Sequence, residues 1–185
     1  MDSRALPGVS ASVKVLDGER SIAFSFEDML DYHGPGSPGG VAHAYKVLEG
    51  ALATLSPEGP AQRREISVRT AFGGPGARDA FELVTRAVTD DRYEVDRGLA
   101  RPDLGRERER FVFHVAYGDR EVTLVLREGF VTPEFIDLAR KEGLTQAEEV
   151  RLAALKLEMA DLVMARPAGE VYEEASLKVS VHRPA

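Results

Sequence analysis

The sequence predicts an α+β domain: a mixed, mainly antiparallel sheet with helices packed against it and a helical segment near the C-terminus. Stretches such as Phe111 to Tyr117 carry the two-residue alternation of strands. Others, such as Val41 to Leu55, repeat apolar residues at the spacing of an amphipathic helix. Glycine, proline and capping residues punctuate the chain between them.

Ser12 to Leu16 and Arg20 to Phe24 flank Asp17-Gly18, a pair favoured in type I′ turns, so a hairpin is expected first. Ser25 is an N-cap candidate for a short helix ending near His33, and Glu27 and Asp28 suit the positive end of its dipole. The run from His33 to Gly40 cannot prolong that helix, because proline removes a donor and glycine is entropically costly there. Ser37 followed by Pro38 reads as a cap with proline in the first turn, opening a helix from about Pro38 to Leu55.

Glu65 to Phe72 alternates as a strand and runs into a second glycine loop, Gly73-Gly-Pro-Gly76. A helix over about Ala77 to Val88 follows, with Ala80, Phe81, Val84 and Val88 on one face. Arg92 to Asp96 reads as a short strand, and Arg97 to Arg110 as a mobile polar loop. Phe111 to Tyr117 and Arg120 to Arg127 form the clearest hairpin and are expected at the sheet's centre.

Thr132-Pro133 opens a helix that Gly143 closes. Thr145 and Glu148 form a capping box for a helix reaching about Arg166, where Pro167 stops it. The apolar stripe from Leu152 to Val163 is expected to be core, with part of it serving a contact in a homodimer. Leu177 to Val181 alternates as a last strand. The 185 residues suit one domain.

Composition narrows the function. No apolar run approaches the ~18 residues of a membrane helix, so no membrane partner is expected. The first eight residues hold Arg4 but no apolar stretch, which favours a cytoplasmic location. A net charge of -7 disfavours nucleic acid. With no cysteine, thiolate metal sites and cysteine nucleophiles are excluded.

His33, Gly34, Pro38, Gly39 and Ala44-Tyr45-Lys46 fall in a pattern that resembles the E-subunit family of formylmethanofuran dehydrogenase. In that family a helix ends in His-Gly-His-x-Cys-Pro-Gly. Asp79, Ala80 and Thr85 match its second loop and helix, and Glu134 to Val171 resembles its paired C-terminal helices. The likeness runs over about residues 24 to 175. It implies an accessory or binding role linked to molybdenum or tungsten enzymes of one-carbon metabolism. The ligand set departs from the family: its second histidine falls on Pro35, its cysteine on Ser37, and its C-terminal zinc ribbon is missing.

His33 is therefore the first site candidate, as a metal ligand, a general base, an orienting hydrogen-bond group or simply a cap on its helix. Any divalent metal would be held by His33 with oxygen or nitrogen groups such as Asp79 or His43. Unpaired donors at the starts of the two helices that follow glycine loops would accept a small anion, with Gly34, Gly36, Ser37, Gly39, Gly74, Gly76 and Arg78 around it. Ser37 is equally an N-cap, Arg78 a surface ion pair, His43 a partly buried helix residue, and the glycines plain turns. Arg97 to Arg110 is either a solvated loop or a lid bringing positive charge to the ligand.

The first functional expectation is a binding or accessory domain holding a small anion or a metal-bearing cofactor between the glycine loops. The alternative is an enzyme with His33 as general base, helix N-termini or Arg78 stabilising an oxyanion, and Ser37 assisting. A plain scaffold is the third.

Overall fold

The Asp17-Gly18 turn joins β1 (Ser12–Asp17) and β2 (Arg20–Ser25), antiparallel, with Gly18 at φ 65°. The structure is a computed structural model and describes residues 11–180; Arg4, Val181 and His182 lie outside that range. Ser25 and Asp28 make the capping box of α1 (Phe26–His33), whose chain turns out at Gly34. The next helix, α2 (Pro38–Leu55), is buried along most of its length, including Val41, Ala44, Tyr45, Leu48 and Ala51. It packs on four of the other helices, on the larger sheet and against β1.

Two sheets form where one was expected. A two-residue strand, β3 (Ala61–Gln62), runs parallel to β1 and completes a sheet ordered β2-β1-β3. The larger sheet comprises β4 (Ser67–Thr70), β5 (Tyr93–Val95), β6 (Val112–Tyr117), β7 (Arg120–Leu126) and β8 (Tyr172–Val179). Its order is β5-β4-β6-β7-β8, with β4 and β5 parallel and the other pairs antiparallel. The β6–β7 hairpin thus supplies the central strand, as expected.

The remaining helices are α3 (Pro75–Thr85), α4 (Pro133–Arg140), α5 (Gln146–Met164) and the short α6 (Ala168–Val171). Thr132 caps α4, and Thr145 with Glu148 boxes α5. On α5, Leu155, Met159, Ala160 and Val163 enter the core while Val150, Leu157 and Leu162 face solvent. Among the described residues no helix is long and apolar enough to cross a membrane.

The differences from expectation have local causes. Arg63–Glu65 forms a 3-10 turn before β4, because the Arg63 side chain turns inward to donate to the Val84 carbonyl at 2.8 Å. The last strand starts at Tyr172, ahead of Leu177, and a register shift against β7 blurs its alternation. The stretch from Arg97 to Arg110, expected to be mobile, folds into two 3-10 turns. Arg101 N–H donates to the Glu109 carbonyl at 2.8 Å, and Arg108 Nε donates to the Leu126 carbonyl at 2.7 Å, tying it to β7.

Candidate functional site

The starts of α2 and α3 cross at glycine. A Cβ on Gly76 would lie 2.3 Å from the Ser37 carbonyl oxygen and 3.0 Å from the Val41 nitrogen, and one on Gly40 would lie 3.1 Å from the Ala77 nitrogen. On the other flank of α2, a Cβ on Gly39 would lie 2.9 Å from Met159 Sδ and 3.2 Å from the Lys156 carbonyl oxygen. Lack of a side chain is what lets three helices approach here.

Neither of the two crossing helices is capped by a side chain. Ser37 holds the N-cap position of α2, yet its hydroxyl makes no capping hydrogen bond, and the N-cap of α3 is Gly74. By contrast Ser25, Thr132 and Thr145 all cap their helices. Each helix opens on a proline, which has no N–H, so the uncapped donors are Gly39 and Gly40 of α2, which line the adjoining cavity, and Gly76 and Ala77 of α3, which are buried against α2 and do not.

These two starts form one side of a cavity of about 300 Å³, to which Ser37, Gly39, Gly40, Gly73, Gly74 and Pro75 contribute. Phe72 and Phe111 line it as well, stacked with centroids 4.5 Å apart and planes 25° from parallel. The sheet register brings them together: Thr70 pairs with Phe113, so residue 72 emerges beside residue 111. Phe135 and Ile136 of α4 and Met159 of α5 complete the apolar part.

The rest of the lining is cationic: Arg97, Arg106 and Arg110 from the folded loop, Arg140 from α4 and Lys156 from α5. Among the described residues no Asp or Glu lines the cavity. Arg106 pairs with Asp137 and Arg140 with Glu109, each at 2.7 Å. Lys156 Nζ donates to the Gly36 carbonyl at 3.0 Å. Arg97 rests its Nη2 3.4 Å from where a Cβ on Gly73 would be. Among the described residues neither Arg97 nor Arg110 has a carboxylate partner. In a chain of net charge -7 this is a local inversion of sign.

His33 lies elsewhere. Its Nδ1 is 2.8 Å from Asp79 Oδ2, joining the end of α1 to the first turn of α3. The Nδ1–H donates to the carboxylate, and Nε2 is buried without a partner among the described residues. Arg78 pairs with Asp79 at 3.2 Å on the surface, outside the cavity lining.

His43 is fully buried, its Nδ1 2.8 Å from the Tyr172 hydroxyl and its ring 4.7 Å from that of Phe111. Burial pulls its pKa down to about 3, and burial also pushes that of Tyr172 well up. A neutral imidazole therefore shares this hydrogen bond with a protonated tyrosine hydroxyl.

Of the expected site residues, then, Ser37, Gly39 and Gly74 line the cavity, whereas Gly34, Gly36, Gly76 and Arg78 do not. The expected metal set is not assembled: His33 meets Asp79, but His43 is turned to Tyr172. Among the described residues no three His, Cys, Asp or Glu side chains are placed to hold a metal ion. Sequence reading missed Phe72, Phe111, Arg140 and Lys156, which only the β4–β6 pairing and the α4–α5 packing bring to the loops. For the cationic side of the cavity, the arginine-rich stretch from Arg97 to Arg110 was the legible signal.

No family model matches the chain, and no curated protein matches it.

Proposed function

We infer that this chain is a binding domain for a small anion, held in the cavity where α2 and α3 begin. The observation that carries the reading is the lining: five cationic side chains and, among the described residues, no carboxylate, in an acidic protein. The uncapped start of α2 adds the Gly39 and Gly40 N–H groups, and both helix starts add dipole charge of the same sign. At about 300 Å³ the cavity falls at the small end of ligand sites, which restricts the occupant to a compact molecule. The reading agrees with the accessory role implied by the resemblance to the E-subunit family of formylmethanofuran dehydrogenase. A divalent metal bound directly by protein does not fit this lining, which offers no His, Asp, Glu or Cys ligand among the described residues. A metal-bearing cofactor would enter only through anionic groups of its own.

One observation favours a second reading, an enzyme with His33 as general base: Asp79 orients the ring as the carboxylate of a catalytic triad does. Against it, Nε2 is buried and His33 does not line the cavity.

Calorimetric titration with inorganic phosphate at low salt tests the first reading. The native protein should bind, and the Arg97→Gln/Arg110→Gln double variant should lose about tenfold or more in affinity, since charge-assisted hydrogen bonds are the stronger kind. Absence of binding by phosphate, sulfate and short carboxylates alike would remove it.

A further inference from the structure

We propose that the ligand of this cavity is a phosphate monoester carrying a small flat apolar group, a class represented by phenyl phosphate. The proposal rests on the anion-binding reading above and specifies its chemistry.

The charge of the lining sets the charge of the ligand. Arg106 and Arg140 are each neutralised by a carboxylate, Asp137 and Glu109. Arg97, Arg110 and the Lys156 ammonium remain without a carboxylate partner among the described residues. A monocarboxylate leaves two of these charges unmatched, while a phosphate monoester brings close to two negative charges at neutral pH. Its three terminal oxygens also outnumber the two of a carboxylate, which suits the α2 start and two guanidinium groups at once.

Position sets the orientation. Arg97 lies against Gly73 in the loop before α3, and Lys156 is anchored to Gly36 in the loop before α2. One cation therefore flanks each helix start, and the phosphate belongs between them. The apolar side chains Phe72, Phe111, Phe135, Ile136 and Met159 remain for the rest of the molecule. Phe111 is buried between Phe72 at 4.5 Å and the His43 ring at 4.7 Å, so the half-buried Phe72 ring, held rigid by that stack, is the aromatic surface left for a flat group. Inorganic phosphate would leave that surface uncovered.

Calorimetry with phenyl phosphate, benzoate and inorganic phosphate on the native chain tests this. Phenyl phosphate should bind about tenfold or more tightly than either of the others, each of which lacks one of the two features. Its affinity should rise between about pH 5 and about pH 7.5 as the phosphate takes its second charge, whereas that of benzoate should not follow, because no described His or carboxylate lines the cavity. Benzoate matching phenyl phosphate would overturn the dianion assignment, and inorganic phosphate matching it would overturn the flat apolar group. Either result leaves the anion-binding reading standing. Absence of binding by all three defeats both.

Discussion

Gly76 lies directly beneath Ser37: a Cβ at position 76 would stand 2.3 Å from the Ser37 carbonyl oxygen, closer than any real side chain approaches. The contact is backbone on both sides, so it cannot be relieved by a rotamer change. Gly76→Ala should cost about 3 kcal/mol of stability, the upper part of the range for forced overpacking. It should also weaken phosphate binding, because it pushes apart the helix starts that form one side of the cavity. Urea unfolding and calorimetry on the same variant check both effects.

Gly34 is a glycine for a different reason. It has φ 84° and ψ -173°, a region almost closed to other residues, while a Cβ there would meet nothing within 4 Å. Gly34→Ala should therefore cost about 1–3 kcal/mol through backbone strain alone. Phosphate affinity should stay at the native value. A large loss of affinity would show that the turn at Gly34 itself shapes the ligand site after all.

The His33–Asp79 contact predicts a third contrast. Removing the ring in His33→Ala leaves Asp79 with only the exposed Arg78 and unties α1 from α3. Stability should fall by about 1–3 kcal/mol, the range for losing a partly buried charge-assisted hydrogen bond. Phosphate affinity should be retained, since His33 does not line the cavity. Loss of binding with unchanged stability would favour the general-base reading.

Much of the fold was legible because its signals are local. Asp17-Gly18, Ser25, Thr132-Pro133 and the Thr145–Glu148 box each decide their turn or helix end through neighbours a few residues away. The second sheet was not legible, because β3 is two residues long and depends on a partner strand far off in sequence. The site was half legible. Glycine and proline mark the two helix starts, but nothing local to Lys156 or Phe111 says that α5 and β6 bring them there. Ser37 shows the limit most clearly: its position before Pro38 predicts a cap, and it occupies that position without making the bond.

His43 makes stability depend on pH. Its folded-state pKa, about 3, lies below the ordinary 6.5, so the unfolded chain binds more protons between those values. The contribution of the neutral ring is complete above about pH 6.5 and is lost as pH falls towards 3, by at most about 1.4 kcal/mol per pH unit. Tyr172 stays protonated throughout, and the hydrogen-bonded carboxylates of Asp28 and Glu82, with pKa values lowered from the ordinary 3.8 and 4.5, lose their contribution only as pH falls through those ordinary values. Urea unfolding at about pH 5 and about pH 6.5 should show a smaller difference in His43→Gln than in the native chain. An equal difference would place the buried proton elsewhere.

An anion seated where α2 and α3 begin is seen most directly by an amide NMR titration with phosphate. Progressive shifts are expected for the Gly39, Gly40, Gly73 and Gly74 amides and for the Arg97 and Arg110 side-chain N–H signals. The Asp79 amide and the His33 ring signals should move little. Saturable shifts centred on His33, with the α2 and α3 starts unmoved, would contradict it.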